Sequence, residues 1–348
     1  MAATSESFRA RLTLPAVRFD EREFDVADLV LLALAEGSWQ ALRARLSRGL
    51  ALEREHGAGV EAGRLAGELR RFRYERRLIS GKDVRDWLAE RSLKLGDVQR
   101  HCLRRVLLNE HGAGGDGPPD AQPPGELWAE AICRGTLADA RTRLADLAAM
   151  TPVAADAGQA PARAVATLVA RARSDAAPGL ADLPAGELER RATATAELLG
   201  GEAAFVARAA TPEGVRRCLA EHGVDWLRVA CSELTLPTEG AARESMLCLR
   251  LDRTALADLA TQLGGTPVSQ VHYLGDLADG SSPLLASAAI GDPVGPLASE
   301  DGWRVLVVEG RAPPTSEDPE LVRRATATLV TGMRERAKAG RARELTVL

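Results

Sequence analysis

Apolar positions recur at helical spacing over most of the chain and at strand spacing only near its C-terminal third. Leu65, Leu69 and Phe72 repeat at three- and four-residue intervals, as do Val84, Trp87 and Leu88. Leu95, Val98, Cys102, Leu103 and Val106 then fall on one helical face. Ser80 followed by Asp83 marks a helix start, because the hydroxyl can accept a free backbone N–H and the acid suits the positive end. Helix is therefore predicted from Val26 to His111, after a strand over Phe8–Phe19 interrupted by Pro15. A second helical stretch runs from Gly125 to about Gly223, with breaks predicted at Gly135, around Pro152, over 174–182 and near Gly200. Trp128, Ile132 and Cys133 share one face there, and Leu137, Leu144 and Leu147 another.

After Gly223 the pattern changes. Trp226–Leu236 is rich in β-branched and apolar residues and stops at Pro237, which predicts a strand. Helix, as one segment or two, follows over Ala241–Leu263, then a short strand over Val268–Leu274 and a short helix over Pro283–Ala289. Trp303–Glu309 is a strand with Trp303, Val305 and Val307 on one face. Asp318 caps a last helix with Pro319 in its first turn, and Val322, Ala325, Leu329 and Met333 form its apolar stripe.

These elements divide the 348 residues into a helical module (1–111), a Gly/Pro linker (112–124), a second helical block (125–223), a small mixed domain (224–315) and a C-terminal helix with its tail (316–348). Apolar residues make up 45% and charged residues 27%, which is globular composition; aromatics are only 3%, so the core is built from Leu, Val and Ala. The net charge of −4 gives no general attraction to phosphate backbones, so nucleic acid is not an expected partner. Five cysteines with no CxxC spacing fit neither a disulfide framework nor a zinc site. Met1–Leu14 lacks the apolar core of a signal peptide, and Val26–Leu34, the most apolar run, is broken by Asp28 and is too short to span a bilayer. The expectation is a reduced, cytoplasmic protein that uses no membrane, metal or cofactor.

The C-terminal order of strand, helices, short strand, short helix and two strands resembles a parvulin-type (PpiC, SurA-like) prolyl isomerase domain. The matching segment is LLASAAIGDPVGPLASEDGWRVLVVEGRAPP, residues 284–314: a short helix, a turn at Gly291, Gly295-Pro296 at a strand start, and Gly302-Trp303 leading to Val308-Glu309. Residues 210–229 resemble the family's helix that feeds the first strand, and residues 73–108 its N-terminal chaperone module. The resemblance implies an α+β fold: a mostly helical, SurA-like N-terminal region and a C-terminal four-stranded antiparallel, parvulin-like domain.

Parvulins use a buried pair of histidines, a Cys or Asp beside the substrate carbonyl, and Met, Leu and Phe around the proline ring to lower a barrier of about 18–20 kcal/mol. In the alignment the first histidine falls on Glu233, the last-strand histidine on Arg304, and the Phe near Ala286. The resemblance thus implies a degenerate relative that binds an extended peptide or unfolded protein, with Glu233 and Arg304 paired across the sheet in place of the histidines. PpiC-related proteins of this kind accompany the maturation of ribosomally made peptides, which implies a precursor peptide and its modifying enzymes as partners. The peptide-binding candidates are Trp226, Tyr273 and Trp303 for apolar contact and Glu233, His272 and Arg304 for polar contact. Glu233, Cys231, His272 and Arg304 are also the candidates for residual catalysis, as a rearranged prolyl isomerase or as a peptide-modifying enzyme using Cys231 and His272. A non-catalytic helical adaptor is the third reading.

Other chemistry is weaker. GAGGDG (112–117) has the GxGxxG spacing, but no strand feeds it and no helix starts on it, so it reads as linker. Arg70, Arg71, Arg73, Arg76 and Arg77 surround Phe72 and Tyr74, which reads as the solvated side of a helix or as a face for an acidic leader peptide, ahead of nucleic acid because the chain as a whole is acidic. His101 and Cys102 point about 100° apart on their helix, so Cys102 is expected in the core and His101 on the surface.

Overall fold

The computed structural model describes residues 10–112, 122–151, 161–174, 179–263, 266–277, 281–339 and 342–344. The linker residues 113–121, with most of the GAGGDG stretch, and the expected break around Pro152 lie outside the described residues. The chain divides into two compact units, residues 1–205 with 333–348, and residues 206–332.

The first unit begins with a hairpin. Strands β1 (Pro15–Phe19) and β2 (Arg22–Asp25) pair antiparallel, and β7 (Ala342–Glu344) adds to the other side of β1. The expected strand over Phe8–Phe19 thus starts only at Pro15; Ala10–Leu12 are helical. Asp25 ends β2 and caps helix α1 (Val26–Ala35), its Oδ1 accepting Asp28 N–H while Asp28 Oδ2 accepts Asp25 N–H at 3.0 Å. Helix α1 is apolar apart from Asp28, and Val26, Ala27 and Leu29–Leu34 are buried. Among the described residues no helix is long and apolar enough to cross a membrane.

Helices α2 (Ser38–His56), α3 (Ala62–Glu75), α4 (Gly81–Glu90) and α5 (Leu95–His111) follow, then α6 (Pro124–Arg134), α7 (Thr136–Met150) and α8 (Ala162–Ser174). The capping box predicted from Ser80 and Asp83 is formed. Cys102 is in the core, but His101 is also buried, at 3% exposure, because Glu130 of α6 meets its Nδ1 at 2.9 Å. Packing of α5 on two sides at once was not visible in its single apolar stripe. Helix α9 (Ala185–Ala209) runs unbroken through Gly200-Gly201, contrary to the expected break. Two glycines cost about 2 kcal/mol in a helix interior, less than burial of the flanking Leu198 and Phe205 returns.

The second unit holds α10 (Pro212–Glu221), β3 (Arg228–Leu236), α11 (Glu239–Leu247), α12 (Leu256–Gln262), β4 (Val268–Tyr273), α13 (Ser281–Ser287), β5 (Pro293–Ser299), β6 (Gly302–Ala312) and most of α14 (Pro319–Lys338). Between α11 and α12, Cys248–Asp252 winds as a π-helix and Arg253 turns left-handed, so the predicted helix over 241–263 is two helices. The four strands form one antiparallel sheet in the order β4-β3-β6-β5. The protein is therefore α+β, mostly helical, with a C-terminal four-stranded antiparallel sheet, as expected.

Strand alternation gives this sheet two faces. Leu234, Leu236 and Val305, with Trp303 and Val307, pack against α11 and α12. Val229, Cys231, Leu306 and Val308 point the other way and meet Leu274, Val294, Leu297 and Leu285 of α13. Helices α10 and α14 pack on one another through Val215, Leu219, Leu321 and Ala325. Two glycines are fixed by close approach. Gly302 has φ +132 and a Cβ there would lie 2.5 Å from Leu236 O; Gly295 has φ +136 and a Cβ would lie 2.9 Å from Arg304 O.

Candidate functional site

The polar candidates converge on the face that carries Cys231. Glu233 lies opposite Leu306 on β6 and Val268 on β4, and Arg304 lies opposite Thr235, so Glu233 and Arg304 stand diagonally across the β3–β6 pair. Arg304 Nη1 is 3.7 Å from Glu233 Oε2. His272, opposite Val229 on β4, reaches along the same face, spanning the Cys231–Gln270 row, to place Nε2 against Glu233 Oε1. One carboxylate thus joins the imidazole of β4 to the guanidinium of β6. The array is enclosed: Glu233 is 5% exposed, and the His272 and Arg304 side chains keep only 12% and 22% of their surface. The pairing of Glu233 with Arg304 was expected; its extension to His272 follows from β4 being the neighbour of β3.

Cys231 sits one row from Glu233 and is fully buried. Burial, then the nearby charges of Glu233 and Glu309, pushes its thiol up to about 11. At neutral pH it is a protonated core group rather than a nucleophile.

The aromatic candidates lie elsewhere. Trp226 precedes β3, which begins at Arg228 rather than at Trp226; its N–H donates to His222 O and its ring stacks on His222, with centroids 4.5 Å apart. Trp226 and Tyr273 pack against the α10–α14 cluster, and Trp303 against the α11–α12 cluster. Tyr273 Oη donates to Asp318 Oδ2 at 3.2 Å, and the Arg324 guanidinium lies 4.3 Å over its ring. Arg228 also pairs with Asp318, whose carboxylate accepts Glu320 N–H at 3.0 Å. Tyr273 is thereby engaged in holding β4 and β3 to α14. The three aromatics are structural contacts of the face opposite Glu233, His272 and Arg304, and the structure does not bring the two sets together.

Strand alternation already separates the sets, because His272 and Tyr273, and Trp303 and Arg304, are adjacent residues that point to opposite faces. Among the described residues no group of three His, Cys, Asp or Glu could hold a metal ion. In the first unit the arginine-rich stretch covers buried Phe72, with Arg76 over its ring at 3.9 Å. Arg73 donates to Leu78 O at 3.1 Å, and Arg70, Tyr74 and Arg77 line one exposed stripe.

The chain is similar to the peptidylprolyl isomerase PrsA of Bacillus anthracis, at 14% identity over 57% of this chain and 89% of that one, with a TM-score of 0.25. It is similar to PrsA of Bacillus cereus at 11% identity, covering 61% and 84%, with a TM-score of 0.31. A SurA-like chaperone of Campylobacter jejuni aligns at 8% identity over 62% and 89%, with a TM-score of 0.19. No family profile and no curated protein matches the sequence. With TM-scores of this size, the functional reading stands on the sheet and its side chains.

Proposed function

We propose that the sheet of the second unit is a peptide-binding module that handles an extended client as a chaperone does, without isomerase chemistry. The observation that carries this reading is the Glu233–His272–Arg304 array. A shared carboxylate fixes His272 of β4 and Arg304 of β6 on rigid strands, which pre-orders the sheet beside its outer strand β4, where an extended peptide would lie. The same pairing argues against catalysis. Glu233 has both oxygens engaged, and the Cys231 thiol is too weakly acidic to attack a peptide.

In the same reading the client is a ribosomally made precursor peptide, met in the cytoplasm together with the enzymes that modify it. The sequence resemblance of residues 284–314 supports this. So does the exposed Arg70–Tyr74–Arg77 stripe of α3 and the turn after it, which complements an acidic leader.

The test is titration of the full chain with two fluorescent peptides, an acidic leader-type sequence and an unrelated unfolded one, beside a protease-coupled prolyl isomerase assay. Binding with no turnover is expected. Turnover abolished by Glu233→Ala would replace the reading with an isomerase whose site has been rearranged. Absence of binding to either peptide would leave the adaptor reading.

A further inference from the structure

We propose that the free edge of β4 takes up an extended peptide segment as a fifth strand of the sheet. The inference rests on the peptide-binding reading above and states how the peptide is held.

The two edges of the sheet are built differently. In the order β4-β3-β6-β5 the outer strands are β4 and β5. β5 carries Pro293 and Pro296, neither with an N–H, and its register slips between Val294 and Leu297. Such features keep an edge from pairing with other chains. β4 has none of them. Its six residues, VSQVHY, contain no proline, glycine, lysine or acid, and all six pair with β3 in unbroken register. Val268 is 54% and Val271 48% exposed, so nothing among the described residues covers this edge.

The direction of its backbone groups follows from one bond. Leu274 N–H donates to Leu227 O at 3.2 Å, in register with the β3–β4 ladder. Hydrogen-bonded pairs alternate in an antiparallel ladder, so His272, Gln270 and Val268 also turn their N–H and C=O toward β3. Ser269, Val271 and Tyr273 turn theirs outward. An incoming strand therefore meets three N–H and three C=O groups at the regular spacing a strand requires.

The occupant is a peptide rather than a second copy of the chain. Six residues at about 3.4 Å each make an edge about 20 Å long, and with side chains standing to both faces it is about 10 Å deep, so self-pairing covers roughly 400 Å² in total. A stable dimer needs about 1,200–2,000 Å². A peptide does not need that area: its backbone pairs with the outward groups while its alternate side chains stand beside Gln270 and His272, on the face of the Glu233 array. The segment that fits is extended and uncharged, with β-branched residues where it flanks Val271 and polar ones where it flanks His272.

The test uses the full chain and a fluorescent peptide of about ten alternating Thr and Val residues with a lysine at each end. Val271→Pro removes the central outward N–H and leaves the β3 ladder, which does not use it, intact. The expected result is at least a tenfold weaker Kd for Val271→Pro and a Kd within about twofold of wild type for Val271→Thr. On the wild-type protein, amide exchange followed by NMR should show Ser269 and Val271 gaining protection on peptide addition, while Gln270 and His272 are protected throughout.

Wild-type protein that binds no peptide overturns the peptide-binding reading and this inference together. Binding that Val271→Pro leaves unchanged, with no new protection at Ser269 and Val271, overturns this inference alone. A concentration-dependent dimer in sedimentation that Val271→Pro dissolves, again without peptide-induced protection, assigns the edge to a second copy and also overturns it.

Discussion

Glu233→Ala removes the group that joins three strands of the sheet. The carboxylate is 5% exposed and meets Arg304 Nη1 at 3.7 Å and His272 Nε2 in a hydrogen bond. Removing one partner of a buried ion pair costs about 3–5 kcal/mol. Arg304 keeps 22% of its side-chain surface in solvent, and 3.7 Å is an ion contact rather than a hydrogen bond, so the charge loss here belongs at or below the low end, about 2–3 kcal/mol. The lost bond to His272 adds about 1 kcal/mol. The sum is about 3–4 kcal/mol for Ala, and about 1–2 kcal/mol for Glu233→Gln, which keeps the volume and an acceptor for His272 but not the charge. Native-state amide exchange of the β3 and β6 core reads this directly, because it reports the opening of this sheet independently of the first unit. Ala should speed exchange by roughly two to three orders of magnitude and Gln by about one. One molar salt should change neither figure much, since buried pairs are weakly screened. Exchange in the Ala variant within about twofold of wild type, or equal effects of Ala and Gln, would refute the reasoning.

Three further outcomes follow from other places in the fold. Arg191 bonds Asp25 at 2.7 Å and Asp28 at 2.9 Å, and burial followed by the Asp25 charge pushes the Asp28 carboxyl up to about 6. A carboxyl raised above its ordinary 3.8 favours the folded state below that value and loses the contribution as pH rises through about 6; Arg191→Gln should therefore cost about 3–5 kcal/mol in urea melts at pH 7 and visibly less at pH 5. Gly302→Ala, with φ +132 and a Cβ 2.5 Å from Leu236 O, should cost about 2–4 kcal/mol by urea melting, against about 1–2 kcal/mol for Gly37→Ala, where the left-handed backbone has open space around it. In thiol labelling at pH 8, Cys248, which is partly exposed, should react first, while Cys231, buried and with its thiol pushed up to about 11, should react only on unfolding.

Much of the second unit was legible because its strands carry strong local signals. Val, Leu and Cys alternate with polar residues in Arg228–Leu236, and Gly302 marks the hairpin into β6. The opposition of Glu233 and Arg304 was legible once those two strands were taken as neighbours. The aromatics were legible in part: alternation puts Trp303 with Val305 and Val307 and apart from Arg304, but Trp226 belongs to the turn before β3, where no strand pattern applies. The bulge between Ala230 and Cys231 on β3 depends on the partner strand. In the first unit, β2 was invisible because REFD is short and mostly charged; it is a strand because Asp20, at φ 50, turns the chain back onto β1. His101 read as surface, yet it is buried because Glu130 arrives from another helix to meet it, and Arg104 is buried beside it against Glu126 and Glu53.

The buried array is itself an argument for function over scaffolding. Replacing a buried ion pair by well-packed apolar side chains is commonly neutral or stabilising, by about 1–4 kcal/mol. The rows beside it, Val229, Cys231, Leu306 and Val308, show that this face accepts apolar packing without difficulty. Stability alone therefore gives no reason for Glu233, His272 and Arg304 to interrupt it. The opposite face gives the contrast: there the strands offer Leu234, Leu236 and Val305 to α11 and α12, and Arg228 and Tyr273 find their partner Asp318 at the sheet's margin. One face is closed by α11 and α12, and the other, on which α13 packs, holds a costly polar group beside an edge strand with outward N–H and C=O groups. Both features carry a stability cost in an isolated domain; in the proposed complex an extended chain along β4 would satisfy the edge with its backbone while its alternate side chains lie beside Gln270 and His272.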